Sequence, residues 1–423
     1  MDAFIIDACR TPRGIGKAGK GALSGLHPQQ LAAVVLKAIA ERNHIDTADV
    51  ADVIWGTSAQ VGAQSGDLGR MAALDAGYDI RSSGVTLDRF CGSGITSVAF
   101  AAAQVMSGME ELVVAGGTEM MSMPRHRGGE GPPMLDSGNL RLRAKHPQSQ
   151  QGVCADAIAG IEGITRADVD ALALHSQRKA AAAIAGGHFK NSLVPVFRDD
   201  GSLALAHDEY PRPDTSAEVL AGLKPVFAAL ADMAIDERGT TYASLIRQVY
   251  PELKFAHVHH AGNSSGVVDG AAAVLLASAD YANKHGLKPR ARVVATANAG
   301  DCPTLMLNAS VPAARRVLAK AGLTLDDIDL FEINEAFAVV AEKFIRDLKL
   351  PRDKVNVNGG AIAIGHPIGA SGLRMIYEMY LQLQGKAGPR QRKELPRLGL
   401  THNLGGFPHQ NVCSISIVGR HEG

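Results

Sequence analysis

Three short motifs in this 423-residue chain carry side chains able to attack a substrate, move a proton and orient a polar group. Cys91 sits in DRFCGSGITS, directly after an apolar run and at the start of a long Ala-rich segment. A helix beginning there turns unpaired backbone N–H groups and the positive end of its dipole toward the sulfur, which favours a thiolate. A free thiol of pKa near 8.5 is only a few per cent ionised at neutral pH, and such surroundings lower it by a unit or more. Gly92 and Gly94 remove side chains that would obstruct a bulky substrate. A buried inert cysteine is the competing reading. His366, in GGAIAIGHPIGASG, lies in a Gly-rich loop from which an imidazole can be aimed inward to take a thiol proton and return it. Asn334 and Glu335, in FEINEAFAVVAEKF, fall between a strand-like IDLFEI and a helical segment, where polar groups can face a crevice. An Asn amide there orients a water or a carbonyl oxygen without titrating; a helix N-cap is the alternative.

Such residues need rigid elements to hold them. Short apolar runs alternate with segments of helical period, the pattern of an α/β fold with crossover helices. Strands are expected at 3–7, 52–56, 84–87, 111–115, 272–277, 291–296, 354–357 and 411–418, and helices at 29–41, 95–107, 312–321 and 371–383. Residues 84–107 and 354–380 repeat one order of strand, Gly-rich turn and helix, GSGI in the first matching ASGL in the second, which suggests two similar halves. The stretch from Met120 to about Pro251 is loop-rich and reads as an insertion.

Composition narrows the function. Lys plus Arg and Asp plus Glu each number 43, so no global field exists to hold a nucleic-acid backbone. Glycine is abundant (46 residues) and aromatics make up 4% of the chain, which disfavours stacking platforms for single strands. Five scattered cysteines without CxxC pairs argue against a disulfide framework or a structural zinc site, and fit a reducing compartment. No apolar run of the ~18 residues a spanning helix needs is apparent, so a soluble, cytoplasmic protein without membrane or nucleic-acid partners is expected.

Taken in order and separation, Cys91 in its turn, NEAFA at 334–338 and GHPIGASG at 365–372 resemble the thiolase family over nearly the whole chain, with support from GGTEMMS, LKPVF and AGNSSGVVDGAAAVLL. The resemblance implies a five-layer αβαβα core of two similar halves with an inserted loop domain. The halves would be residues 1–120 with 252–275 and residues 276–423, the insertion 121–251. It implies ping-pong acyl transfer between CoA thioesters, with coenzyme A as substrate, no tightly bound cofactor, no metal, and a homodimer or homotetramer. Cys91 would be the nucleophile and His366 its base; His366 and a water held by Asn334 would stabilise an enolate. The backbone N–H groups of Cys91 and Gly405 would form a second oxyanion hole. Ser265 would lie along the pantetheine arm, with Lys224 and Arg212 as candidates for a CoA phosphate; a solvated loop position competes for Arg212.

The pattern breaks at the C-terminal loop, where thiolases carry CxGGGxG and this chain has THNLGGFPHQNVC. The second acid/base is then His402 or His409, or Cys413 folding back; alternatively the Claisen step is impaired, leaving a thioester or C-acyl transferase or a CoA-binding subunit. A ketoacyl synthase shares the nucleophile, but NEAFA and GHPIGASG disfavour it, and a cysteine hydrolase is a distant reading. Asp88 stands where Asn is usual, and residues 227–261 exceed the common pattern by about 20, read as a surface helical elaboration.

Overall fold

The computed structural model describes residues 1–123, 136–387, 391, 395–405 and 412–420. The first half contributes β1 (Ala3–Arg10), α1 (Pro28–Asn43), β2 (Asp52–Gly56), α2 (Leu68–Asp75), β3 (Ser83–Leu87), α3 (Ser93–Ser107) and β4 (Leu112–Met120). After the insertion, which contains α4 (Gln151–Glu162) and α5 (Arg166–Ala185), β5 (Val268–Ser278) returns to the same sheet. The second half contributes β6 (Ala291–Gly300), α6 (Ser310–Ala321), β7 (Leu330–Ile333), α7 (Ala338–Asp347), α8 (Ser371–Leu383), β8 (Leu398–Gly405) and β9 (Val412–Arg420).

Strand order exposes the duplication. The first half runs β1-β5-β4-β2-β3 and the second β6-β9-β8-β7, with Val355 bridging in parallel to Phe331 at the place corresponding to β3. Directions agree position by position: β1/β5 and β6/β9 are antiparallel, as are β5/β4 and β9/β8, whereas β4/β2 and β8/β7 are parallel. The halves join where Ala3–Ile5 pair with Val293–Ala291.

Alternating side chains on the strands sort the core into layers. Ile6, Val53, Trp55, Val114 and Leu275 meet α1 and α2 on one outer face. Ile5, Val113, Val274, Val293 and Leu330 meet Val98, Ala102 and Val105 of α3 and Leu373, Ile376 and Met379 of α8. Ala295, Phe331 and Ile333 face α6, α7, α4 and α5 on the opposite outer side. The sequence of layers is helix, sheet, helix, sheet, helix.

Three expectations change. Residues 354–357 form no strand: a 3₁₀ turn at Arg352–Lys354 and a positive φ of 44° at Asn356 leave only the Val355 bridge. The window Phe90–Ser107 is long and apolar enough to cross a membrane, but it is 67% buried because α3 is a central-layer helix covered on both sides. The lengthened segment after Phe227 is not a surface elaboration: its helix Tyr242–Arg247 sends Tyr242, Leu245 and Ile246 into the core beside α4.

Candidate active site

Cys91 occupies a 3₁₀ turn, Phe90–Gly92, immediately before α3, and is 2% exposed. Phe90 is held at φ +49°, a left-handed conformation unusual for a bulky residue. Hydrogen bonds around Ser93 fix the turn: its Oγ accepts from the Arg89 N–H at 2.8 Å and donates to the Phe90 carbonyl at 2.6 Å. Asp88 accepts the Phe90 N–H at 2.7 Å, and burial, reinforced by the Glu119 charge, pushes its carboxyl up to about 6.

The loop bearing His366 reaches this turn because three glycines allow the backbones to meet. A Cβ on Gly117 would lie 2.1 Å from the Gly369 carbonyl oxygen, and one on Gly94 2.8 Å from it. Gly94 therefore makes room for the protein's own loop rather than for substrate. The Gly369 N–H donates to Glu119 Oε2 at 3.0 Å, completing the join.

His366 is 3% exposed, and its Nδ1 is 2.5 Å from Ser371 Oγ, whose hydroxyl is itself 3.1 Å from the Pro367 carbonyl. With the hydroxyl proton directed to that carbonyl, Ser371 accepts from Nδ1–H, and Nε2 keeps its lone pair. Nε2 lies 3.3 Å from Asn334 Nδ2. Asn334 is not a helix cap: α7 starts four residues later, with Phe337 at its N-cap. Glu335 does not face the crevice. Its carboxylate accepts from Ser176 Oγ (2.7 Å), Asn356 Nδ2 (2.8 Å) and the Ile362 N–H (3.2 Å), binding the 334–338 segment to the loop before His366 and to α5.

Cys91 and His366 both line one cavity of about 530 Å³, with Ser265, Phe227, Phe337 and Met121 among its other walls. The Ser265 N–H donates to the Ala336 carbonyl at 3.0 Å, which sets Ser265 beside NEAFA. Behind Phe337, His259 packs edge-on at 5.6 Å and is itself held by Asp156 at 2.7 Å. Lys224 is exposed, two residues before the wall residue Val226. Arg212 is exposed too, its guanidinium 5.4 Å over the Tyr210 ring, which lines the cavity.

β8 packs against the Cys91 turn, and within it His402 pairs with Ile333, the residue before Asn334. Gly405 pairs with Val412 at the strand's end. His409 lies outside the described residues, as do the side chains of His402 and Cys413. Ser371 escaped the sequence reading: inside GHPIGASG it looks like an ordinary helix-start serine, and its contact with His366 appears only when the loop is folded back.

A cysteine at a helix start in the first half, sharing a cavity with an oriented imidazole from the second, and an amide beside that imidazole, make an arrangement suited to acyl transfer. The descriptions "Thiolase, N-terminal domain" and "Thiolase, C-terminal domain" match residues 3–246 and 287–391. The chain is 40% identical to a beta-ketoadipyl-CoA thiolase of Pseudomonas aeruginosa, covering 92% of this chain and 94% of the relative. It is 39% identical, with the same coverages, to a 3-oxoadipyl-CoA/3-oxo-5,6-dehydrosuberyl-CoA thiolase of Escherichia coli, and 37% identical to a steroid 3-ketoacyl-CoA thiolase of Mycobacterium tuberculosis, covering 92% and 89%. The chain belongs to the thiolase family and is an acyl-CoA C-acyltransferase, with CoA and acyl-CoA as its substrates.

Proposed function

We propose that the protein cleaves 3-oxoacyl-CoA with CoA, and runs the reverse Claisen condensation, through an acyl-Cys91 intermediate. The cavity shared by Cys91 and His366 is the observation that carries this reading. His366 Nε2 takes the Cys91 proton, and the sulfur attacks the 3-oxo carbonyl. The bond between the carbonyl carbon and C2 breaks, and its electron pair remains on the departing acetyl-CoA enolate. A water held by Asn334 and His366 stabilises that enolate, while the Cys91 and Gly405 N–H groups receive the oxyanion on the acylated side. The CoA thiol gives its proton to His402, which has protonated the enolate, and its sulfur displaces Cys91 and carries the acyl group away while the Cys91 thiolate recovers its proton from His366.

His402 supplies the proton that quenches the enolate. Its backbone position one residue short of Asn334's level, on a strand packed against the Cys91 turn, supports this role. Ser265 would border the pantetheine arm, and Lys224, two residues from the wall residue Val226, and Arg212, stacked on the wall residue Tyr210, would meet CoA phosphates. We further propose acetyl-CoA as a competent substrate, the division into halves 1–120 with 252–275 and 276–423 around the insertion 121–251, a homodimer or homotetramer, and a cytoplasmic location.

Mass spectrometry after exposure to acetyl-CoA or 3-oxoacyl-CoA should show an acyl adduct on Cys91, absent from Cys91→Ser. An unmodified Cys91 in active enzyme would overturn the mechanism. His402→Ala should lower thiolysis about 10²-fold or more while leaving Cys91 acylation by acetyl-CoA intact; unchanged thiolysis would return the proton step to His409 or Cys413.

A further inference from the structure

His366 enters the cavity from a joint that no side chain can pin. Gly365 ends the short helix Ala361–Ile364 at φ +89°, and a Cβ there would lie 2.5 Å from a Val268 methyl. The peptide joining Gly365 to His366 must therefore be fixed through its own polar groups, and both are engaged. Its N–H donates to the Gly266 carbonyl at 2.9 Å, and its carbonyl accepts from Arg13 Nη1 at 2.6 Å.

Arg13 is a buried cation on a braced backbone. It is 2% exposed and belongs to the first half, 352 residues before Gly365. Its own N–H donates to Asp208 Oδ1 at 3.0 Å, and its carbonyl accepts the Glu209 N–H at 2.9 Å. The Asp208 carboxylate is held as well by both terminal nitrogens of Arg10, at 2.6 and 2.8 Å. Burial alone would raise the Asp208 carboxyl, but the Arg10 and Arg13 charges hold it below the usual carboxylate range, so it stays an anion. The Gly266 side is braced from the same segment, because the Tyr210 ring lies over Gly266, where a Cβ would collide with it. Residues 208–210 of the insertion thus back both hydrogen bonds that set the peptide.

The bond from Arg13 suits this task. A charge-assisted donor to a buried carbonyl makes a shorter and stronger bond than a neutral one, and a guanidinium keeps its charge at any working pH. Arg13 is not among the described residues that line the cavity, so its influence on the reaction passes through the peptide it holds.

We propose that Arg13 is a positioning residue for His366: its guanidinium fixes the backbone of the Gly365–His366 peptide while Ser371 fixes the ring, and together they set where Nε2 stands in the cavity shared with Cys91. The inference rests on the reading of His366 as the base for Cys91.

The test follows alkylation of Cys91 by iodoacetamide at neutral pH, read on the Cys91 peptide by mass spectrometry, together with kcat and KM for thiolysis. The variants are Arg13→Met, Arg13→Gln, Arg13→Lys and His366→Ala; in the first three Asp208 keeps Arg10 as its partner. Arg13→Met should slow alkylation and lower kcat, each about tenfold, with KM changed less than about twofold. Arg13→Lys, which retains a cationic donor, should restore most of both. Adding Arg13→Met to His366→Ala should slow alkylation no further, because the residue acts through the imidazole. A further slowing in that background, or a wild-type rate in Arg13→Met, overturns the proposal. Arg13→Gln is read in the same way should Arg13→Met not fold, and failure of both to fold would mark Arg13 as structural and overturn it too. His366→Ala alkylating at the wild-type rate refutes the assigned base and the proposal together, whereas a slowed His366→Ala beside an unaffected Arg13→Met refutes the positioning role alone.

Discussion

Ser371 is the residue whose loss best separates orientation from chemistry. It touches neither thioester nor sulfur, yet it fixes which nitrogen of His366 is basic. Ser371→Ala should lower kcat roughly 10- to 100-fold with little change in KM, and Ser371→Thr should restore part of it. Measuring kcat against pH for both variants checks this, because a serine that merely starts α8 would leave the profile unmoved. Asp88 makes a separate prediction. Its carboxyl is raised to about 6, chiefly by loss of surrounding water, and because the side chain still reaches solvent the folded chain binds the proton only modestly more tightly than the unfolded chain. Stability is then lost as pH rises from about 4 through 6. Asp88→Asn should raise Tm at pH 7.5 by roughly 1–2 °C, and differential scanning calorimetry should show the gap closing below pH 4. Cys91, His366 and Asn334 stood out as candidates because each sits in a local strand-to-helix motif, and the fold brings Cys91 and His366 to one cavity and Asn334 to His366. Ser371 did not stand out, and Glu335 was read as facing the crevice: their contacts cross the chain, and a serine or glutamate in a loop has ordinary local explanations.

Among the elements, the crossing of α3 with the loop before α8 governs whether the site assembles. Gly117→Ala forces a Cβ against backbone oxygens of Gly369 and Gly56, and Gly94→Ala meets the first of these less closely. Gly117→Ala should cost about 3 kcal/mol and Gly94→Ala about 1 kcal/mol, read from chemical denaturation; both should lose thiolysis as His366 is displaced. Glu335→Ala should be costly as well, about 2–4 kcal/mol, because Ser176, Asn356 and the Ile362 N–H lose a buried acceptor. Element boundaries followed hydrophobic period closely in the strand 52–56 and the helix 371–383, which match as expected. The expected strand at 354–357 fails because its alternation is too short to outweigh the left-handed Asn356 and the 3₁₀ turn before it.

For the whole molecule, the sheet ends at β3 in the described residues, and that edge exposes Val85 at 45% with Ile80 nearby at 81%. An open apolar edge invites pairing with a second copy. Sedimentation should find the wild type as an oligomer and Val85→Lys shifted toward monomer; an unshifted oligomer would remove β3 from the interface. The duplicated plan was visible in the matching Gly-rich turns and helices of the two runs, although only a single bridge at Val355 stands where the second strand was expected. How the halves meet was not, since the pairing of Ala3–Ile5 with Val293–Ala291 leaves no local mark on either strand.

The meeting of Gly94 with Gly369, and of Gly372 with Ile95, means that α3 and α8 begin side by side. Each half thus delivers the electropositive end of one helix to a shared centre, and their fields add there. A lone half would supply one such end. Fusing two halves sets two helix starts beside the Cys91 turn, backbone charge that would favour the anions of the proposed mechanism.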